Sequence, residues 1–104
     1  MFSQEQVQLV VEHLVDAAPD ATIILFGSQA RGDAREGSDL DILVVEPVVK
    51  ARRREMVRLS DVLRPLKIPV DILVVSRRNF EEWCDVPGTV IYQATKEGRV
   101  LHAA

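Results

Sequence analysis

A single cysteine, Cys84, stands among the 104 residues, so the chain has no internal disulfide to lean on. No stretch of 18 apolar residues occurs, and no basic-then-apolar leader opens the sequence. A membrane span or secretory signal is therefore not expected, and these absences read together as a cytoplasmic protein. An excess of either charge is also missing, since 13 Lys and Arg stand against 16 Asp and Glu for a formal net charge of −3. That balance gives no strong signal for broad capture of nucleic acid, although it leaves room for a local basic patch. The two histidines, His13 and His102, have no metal-like companions along the chain and read as structural or incidental.

What is present is the balance of an ordinary globular protein, with 47% hydrophobic and 28% charged residues. Residues 1–104 are expected to form one domain around one modest core, with no second lobe. Ser3-Gln4-Glu5-Gln6 has the form of a capping box, and Val7, Val10, Val11 and Leu14 recur at helical spacing, predicting an amphipathic helix from about Ser3 to Ala18. The run Thr22 to Phe26 is short, apolar and rich in β-branched residues, as in a strand buried on both faces, and it stops at Gly27-Ser28. A short helical turn and a polar loop are expected over 29–38, because Gly32, Asp33, Gly37 and Ser38 are poor core residues.

Leu40 to Val45 reads as a second strand ended by Pro47. From about Val48 to Leu66 the apolar positions Met56, Leu59, Leu63 and Leu66 share one helical face, while Lys50, Arg52, Arg53, Arg54 and Arg58 lie largely off it. Val70 to Val75 predicts a third strand, and its Val-Asp-Ile-Leu-Val-Val nearly repeats Leu-Asp-Ile-Leu-Val-Val at 40–45. Flanking segments share no period, so the two read as similar strands of one sheet and not as a duplicated domain. Ser76 is an N-cap candidate for a short helix that points Phe80 and Trp83 at the core. A last helix, about Thr89 to Glu97, should end on Gly98 as a C′ glycine, and Val100-Leu101 can add a terminal strand. The fold class is α/β, a small mixed sheet of three or four strands with helices packed on it.

The acids carry the chemistry. Asp39 and Asp41 flank Leu40 at the start of a strand, where alternate side chains share a face, so both carboxylates project together. Two adjacent carboxylates repel one another unless a cation lies between them, and Mg²⁺ is held by one or two carboxylates plus phosphate oxygens. Asp71 opens the third strand and joins the pair if the two strands are neighbours running the same way. Gly27 lacks the Cβ that would block a phosphate, and Ser28 offers a hydroxyl and a backbone N–H at the start of a helical turn. Arg31, one turn on, could reach a phosphate or brace the loop against a carboxylate.

Gly27-Ser28, ten intervening residues and then Asp39-Leu40-Asp41 resemble the defining motif of the DNA polymerase β-like nucleotidyltransferase superfamily. Ala30-Arg31-Gly32 and Ser38 resemble its smaller members, the minimal nucleotidyltransferases (MNT) encoded beside HEPN-domain proteins, over nearly the whole chain. The resemblance implies metal binding by Asp39 and Asp41, a metal or base role for Asp71, and triphosphate contact by Gly27 and Ser28. It implies an antitoxin that uses Mg²⁺ and ATP to transfer AMP to a tyrosine of a HEPN ribonuclease toxin.

Each residue also has a plain structural use: Asp71 as a turn residue, Gly27 as a tight turn, Ser28 as an N-cap and the arginine run as a solvated helix face. Contact with a partner or RNA is the other reading of the arginines. Trp83 and Phe80 read as core fillers and Cys84 as a small buried hydrophobe. Two rival functions stand beside transfer to a protein. One is a non-catalytic antitoxin that neutralises the HEPN toxin by binding; the other is a small-molecule nucleotidyltransferase, whose known types resemble longer chains. Because 104 residues barely house a nucleotide site, the acceptor is expected to be a partner that completes the cleft.

Overall fold

The computed structural model describes residues 2–104. Helix α1 (Gln4–Ala17) begins where the sequence signals it: the Ser3 hydroxyl accepts from the Gln6 N–H at 3.1 Å, and the Gln6 side chain accepts from the Ser3 N–H at 2.9 Å. This reciprocal cap satisfies two amides that a helix start otherwise leaves orphaned. Val7, Val10, Val11 and Leu14 are buried on its inner face. Strand β1 (Thr22–Phe26) follows, then the five-residue helix α2 (Gly27–Arg31) and a loop to strand β2 (Leu40–Glu46).

Helix α3 (Arg52–Leu63) starts four residues later than expected. Val48 and Val49 are β-branched and follow Pro47 directly, a run that disfavours helix and instead forms the loop out of β2. Leu59 and Leu63 are buried on the inner face of α3, and Met56 and Leu66 pack at its margin. A 3₁₀ turn (Arg64–Leu66) leads to strand β3 (Val70–Ser76), helix α4 (Arg77–Trp83), helix α5 (Val90–Glu97) and strand β4 (Arg99–His102). Ser76 and Thr89 cap α4 and α5, each hydroxyl accepting a backbone N–H at 3.1 Å. Among the described residues, no helix is long and apolar enough to cross a membrane.

The four strands form one mixed sheet in the order β3-β2-β1-β4. β1 lies antiparallel to β2 and β4, whereas β2 and β3 are parallel. The near-repeated sextets at 40–45 and 70–75 are register partners, residue for residue from Leu40↔Val70 to Val45↔Val75. Ile23, Leu25, Leu40, Ile42, Val44, Ile72 and Val74 face α1 and α3 in the larger core, while Ile24, Leu43, Val45 and Val75 face α5 in a smaller one with Phe80 and Ile91 beside it. Burying one such Leu or Ile contributes roughly 1.5–3 kcal/mol.

Two expectations are corrected. Gly98 is extended, at φ −80° and ψ 167°, and not left-handed. Its lack of a side chain serves close packing, because a Cβ there would overlap the Ala94 carbonyl oxygen and sit 2.9 Å from Ile24 Cγ2. Trp83 is no core filler: it ends the short α4 with 46% of its surface exposed, while Phe80, one turn earlier, packs against the smaller core.

At the far end of β2, Glu46 meets Glu55 of α3. Arg58 holds Glu55 bidentately at 2.7 and 2.6 Å, whereas Glu46 Oε2 is shut off from solvent without a donor. Burial, then the hydrogen bond and repulsion from Glu55, raise the Glu46 carboxyl from 4.5 to about 7. Folding therefore gains from a protonated Glu46 fully below pH 4.5, and this gain is lost as pH rises through about 7. Glu46→Gln should flatten that decline, and urea titrations at pH 5 and pH 8 should show wild type losing on the order of 1 kcal/mol relative to the variant, solvent screening having reduced the full linkage value.

Candidate active site

Asp41 is the second residue of β2, opposite Phe26 of β1 on one side and Asp71 of β3 on the other. Leu40 and Ile42 are buried on the α1 and α3 face, so strand alternation turns Asp39 and Asp41 to the opposite face. Ile72 is buried with them, which places Asp71 on the same face as Asp41. Neighbouring strands lie about 4.8 Å apart, so a parallel pair in register makes Asp41 and Asp71 side-by-side neighbours. Asp39 and Asp71 are exposed and Asp41 is half-buried. Burial raises the Asp41 carboxyl above its ordinary value, repulsion from Asp71 and then Asp39 raises it further, and Arg31 acts the other way. The structure thus brings the three predicted acids to one edge of the sheet.

Gly27 stands at the end of β1, where the chain turns into α2 at φ +75°. A Cβ there would overlap an Asp41 carboxylate oxygen and lie 2.9 Å from Asp41 Cγ. Glycine is therefore required twice, for the left-handed backbone and for the room that Asp41 occupies. Ser28 follows, half-buried in the first turn of α2, where Phe26 is the N-cap and no side chain caps the opening amides. Its carbonyl closes the turn by accepting from the N–H groups of Gly32 and Asp33, both at 3.0 Å.

Of the two uses open to Arg31, its contacts are those of a brace. Its Nε donates to Asp33 at 3.1 Å and its NH1 to Glu97 at 2.9 Å, tying α2 to the end of α5. The guanidinium pKa is raised by the hydrogen bond to Asp33 and by the charges of Asp33 and Glu97. Two positioning residues escaped the sequence motifs. Glu97 anchors Arg31 and adds to the field on Asp41. Gln29 clamps α2 to the chain before α1, accepting from the Phe2 N–H at 3.3 Å and donating to the Phe2 carbonyl at 3.1 Å. Both act through contacts distant in sequence, which no local spacing announces.

Among the described residues, no three His, Cys, Asp or Glu side chains close into a ready cation cage. An open acidic edge suits Mg²⁺, which takes one or two protein carboxylates and completes its shell with water and phosphate oxygens. The mutual repulsion at Asp41 fits a divalent ion held there, whereas the room that Gly27 leaves is taken by the Asp41 carboxylate and not kept for a phosphate as the sequence suggested.

The family model described as nucleotidyltransferase domain matches residues 7–102. No curated protein matches the chain. Among solved structures, a candidate nucleotidyltransferase of Sulfolobus solfataricus superposes with a TM-score of 0.65 at 23% identity, over 92% of this chain and 76% of that one. A toxin–antitoxin complex with AMP-PNP gives a TM-score of 0.68 at 20% identity, covering 99% of this chain and 75% of that one. The complex of a tri-AMPylated Shewanella oneidensis HEPN toxin with its MNT antitoxin gives 0.62 at 21% identity, covering 97% and 72%. At these identities the likeness is one of fold.

Two outcomes follow from the site's geometry. Because the folded chain raises the Asp41 pKa, ionising this carboxylate weakens the fold as pH climbs past its ordinary value of 3.8. Asp41→Asn should therefore be more stable than wild type in urea at pH 7, and the advantage should vanish at pH 3. Gly27→Ala should destabilise by about 1–3 kcal/mol through strain and overlap. The loss should be clearly smaller when Asp41 is also cut to Ala, and equal losses in both backgrounds would break the Gly27–Asp41 link.

Proposed function

Since this chain belongs to the nucleotidyltransferase domain family, we propose that it is a Mg²⁺-dependent protein adenylyltransferase, an antitoxin that moves AMP from ATP to a tyrosine of a HEPN ribonuclease toxin. The observation that carries the reading is the in-register pairing of Asp41 with Asp71 beside the Gly27 turn. The fold it shares with an MNT antitoxin bound to an AMPylated HEPN toxin supports the choice of acceptor. The fold it shares with a complex containing AMP-PNP supports ATP as donor.

Across the sheet the order is Gly27-Ser28 after β1, Asp41 on β2 and Asp71 on β3. In this reading Ser28 and the uncapped amides of α2 bind the outer phosphates, with Gly27 letting the Asp41 carboxylate sit beside them. Asp39, Asp41 and Asp71 would hold Mg²⁺, which when bound neutralises phosphate charge and steadies the departing pyrophosphate. Asp71, exposed on the outer strand, takes the proton of the acceptor hydroxyl. The freed oxygen bonds to the α-phosphorus while the bond to the β-phosphate oxygen breaks, so AMP is transferred and pyrophosphate leaves on the Gly27-Ser28 side. Arg31 and Gln29 keep α2 seated throughout.

Incubation with labelled ATP, Mg²⁺ and a purified HEPN-domain protein tests the reading. Asp39→Asn with Asp41→Asn should lower labelling of the HEPN protein by roughly 10³-fold or more, and Asp71→Asn by about 10²–10⁴-fold. Undiminished labelling by the double variant would overturn the catalytic assignment. Toxin neutralised by that variant without any labelling would favour the binding-only antitoxin.

A further inference from the structure

Trp83 ends α4 with nearly half its surface exposed, and neither core takes it in. Val86 and Val90 are exposed as well, so three of the seven exposed large hydrophobics among the described residues fall within positions 83–90. Single exposed apolar side chains are ordinary, whereas a local cluster marks a surface that something covers. The segment is held in place by its own hydrogen bonds. The Val86 N–H donates to the Trp83 carbonyl at 3.0 Å, and the Thr89 hydroxyl donates to the Val86 carbonyl at 2.9 Å while accepting the Tyr92 N–H at 3.1 Å. These bonds satisfy the turn internally and fix where Trp83 and Val90 stand, so little ordering cost is left for a binding event.

The same segment borders a cavity of about 300 Å³ at the outer edge of the sheet. Leu73 and Val75 of β3, Trp83 and Ile91 from the α4 and α5 side, and Val49 and Arg52 from the start of α3 line it. That is room for an aliphatic or aromatic side chain. The hydroxyls of Ser76 and Thr89, which also line it, are spent on capping α4 and α5. Arg52 is the one charged residue of the lining. Its Nε donates to the Val74 carbonyl at 2.9 Å, which fixes the guanidinium at the cavity, and among the described residues no carboxylate pairs with it.

We propose that this cavity and the apolar surface from Trp83 to Val90 dock the HEPN-domain partner, through a segment that seats an apolar side chain in the cavity and sets a carboxylate against Arg52. The identity of the partner rests on the proposed function; the shape and charge of the surface do not. Charge complementarity names the acidic group, because the guanidinium is the lone charge in an apolar lining, where a carboxylate binds it more strongly than in open water. An exposed tryptophan and an arginine framing a pocket are the residue types that carry most of the energy at protein interfaces. A small ligand is enclosed over most of its surface, whereas here the apolar surface runs on past the cavity to Val86 and Val90. Beside Trp83 the lining is Val, Leu and Ile, with no second aromatic face for successive bases, which sets a polypeptide above single-stranded nucleic acid.

The test reads binding separately from turnover, by titrating a purified HEPN-domain protein into the full chain. Trp83→Ala should raise the dissociation constant roughly tenfold or more and leave ATP affinity unchanged. Val90→Glu is a second variant that puts an acid at the first position of α5, where the helix dipole favours it, so it should fold as well as wild type by thermal melting and still weaken the complex. Wild-type affinity should fall as salt increases, and Arg52→Gln should flatten that fall. Unchanged affinity in both Trp83→Ala and Val90→Glu would overturn the proposal. So would a wild-type homodimer that Trp83→Ala splits while the HEPN protein stays bound, which would give the surface to a second copy. Loss of a single-stranded RNA probe by Trp83→Ala, again with HEPN binding intact, would assign the ring to RNA and overturn it too. Wild type that binds the HEPN protein through these residues yet never labels it would sink the transfer reading alone, whereas labelling at full affinity in both variants would sink this surface alone.

Discussion

Asp41 is pressed against Gly27 by the β1–β2 ladder and set beside Asp71 by the β2–β3 ladder, and the rest of the molecule is arranged around that enforced crowding. Burial is the first cause that raises the Asp41 carboxyl, and because hydrogen-bonded strands cannot adjust their spacing to relieve like charges, repulsion from Asp71 and Asp39 raises it further. The packed sheet holds a local arrangement that isolated side chains would avoid. The larger apolar core behind β2, with Leu40 and Ile42 fully buried, keeps the strand from rotating its acids away. Site and core are thus two faces of the same six or seven residues.

Much of this was legible beforehand because it depends on short-range rules. Alternation along β2 puts Asp39 and Asp41 on one face, and the Ser3–Gln6 cap marks the first helix. The repeated sextet announced two similar strands, and the structure adds that they pair residue for residue. What was not legible is carried by contacts distant in sequence. The clamp from Gln29 to Phe2 and the brace from Arg31 to Glu97 join residues 27 and 66 positions apart, and no periodicity encodes them. Gly98 shows the limit of positional rules. It stands where a left-handed cap is expected, yet its smallness is needed for an extended residue squeezed against Ile24. Trp83 fails for a related reason, since hydrophobicity alone does not say whether a seven-residue helix is long enough to tuck its last side chain under the sheet.

Charge is distributed unevenly in a chain that is nearly neutral overall. Asp39, Asp41, Asp71 and Glu97 gather at one edge of the sheet, while Arg53 and Arg54 stand free at the start of α3. The remaining exposed pairs, such as Glu82 with Arg78 on α4 and Glu55 with Arg58 on α3, are local and neutralise one another. Surface pairs of this kind add little to stability.

The contact from Arg52 to the Val74 carbonyl has a bearing on self-association. β3 is an outer strand, and its free side would otherwise present a row of unpaired backbone groups to any other extended chain. One guanidinium bound in the middle of that row removes an acceptor and puts a bulky cation across the path of an incoming strand. A second copy trying to zip onto this margin would meet both a missing rung and a positive charge. That one side chain therefore blunts the margin of the sheet as a template for another strand.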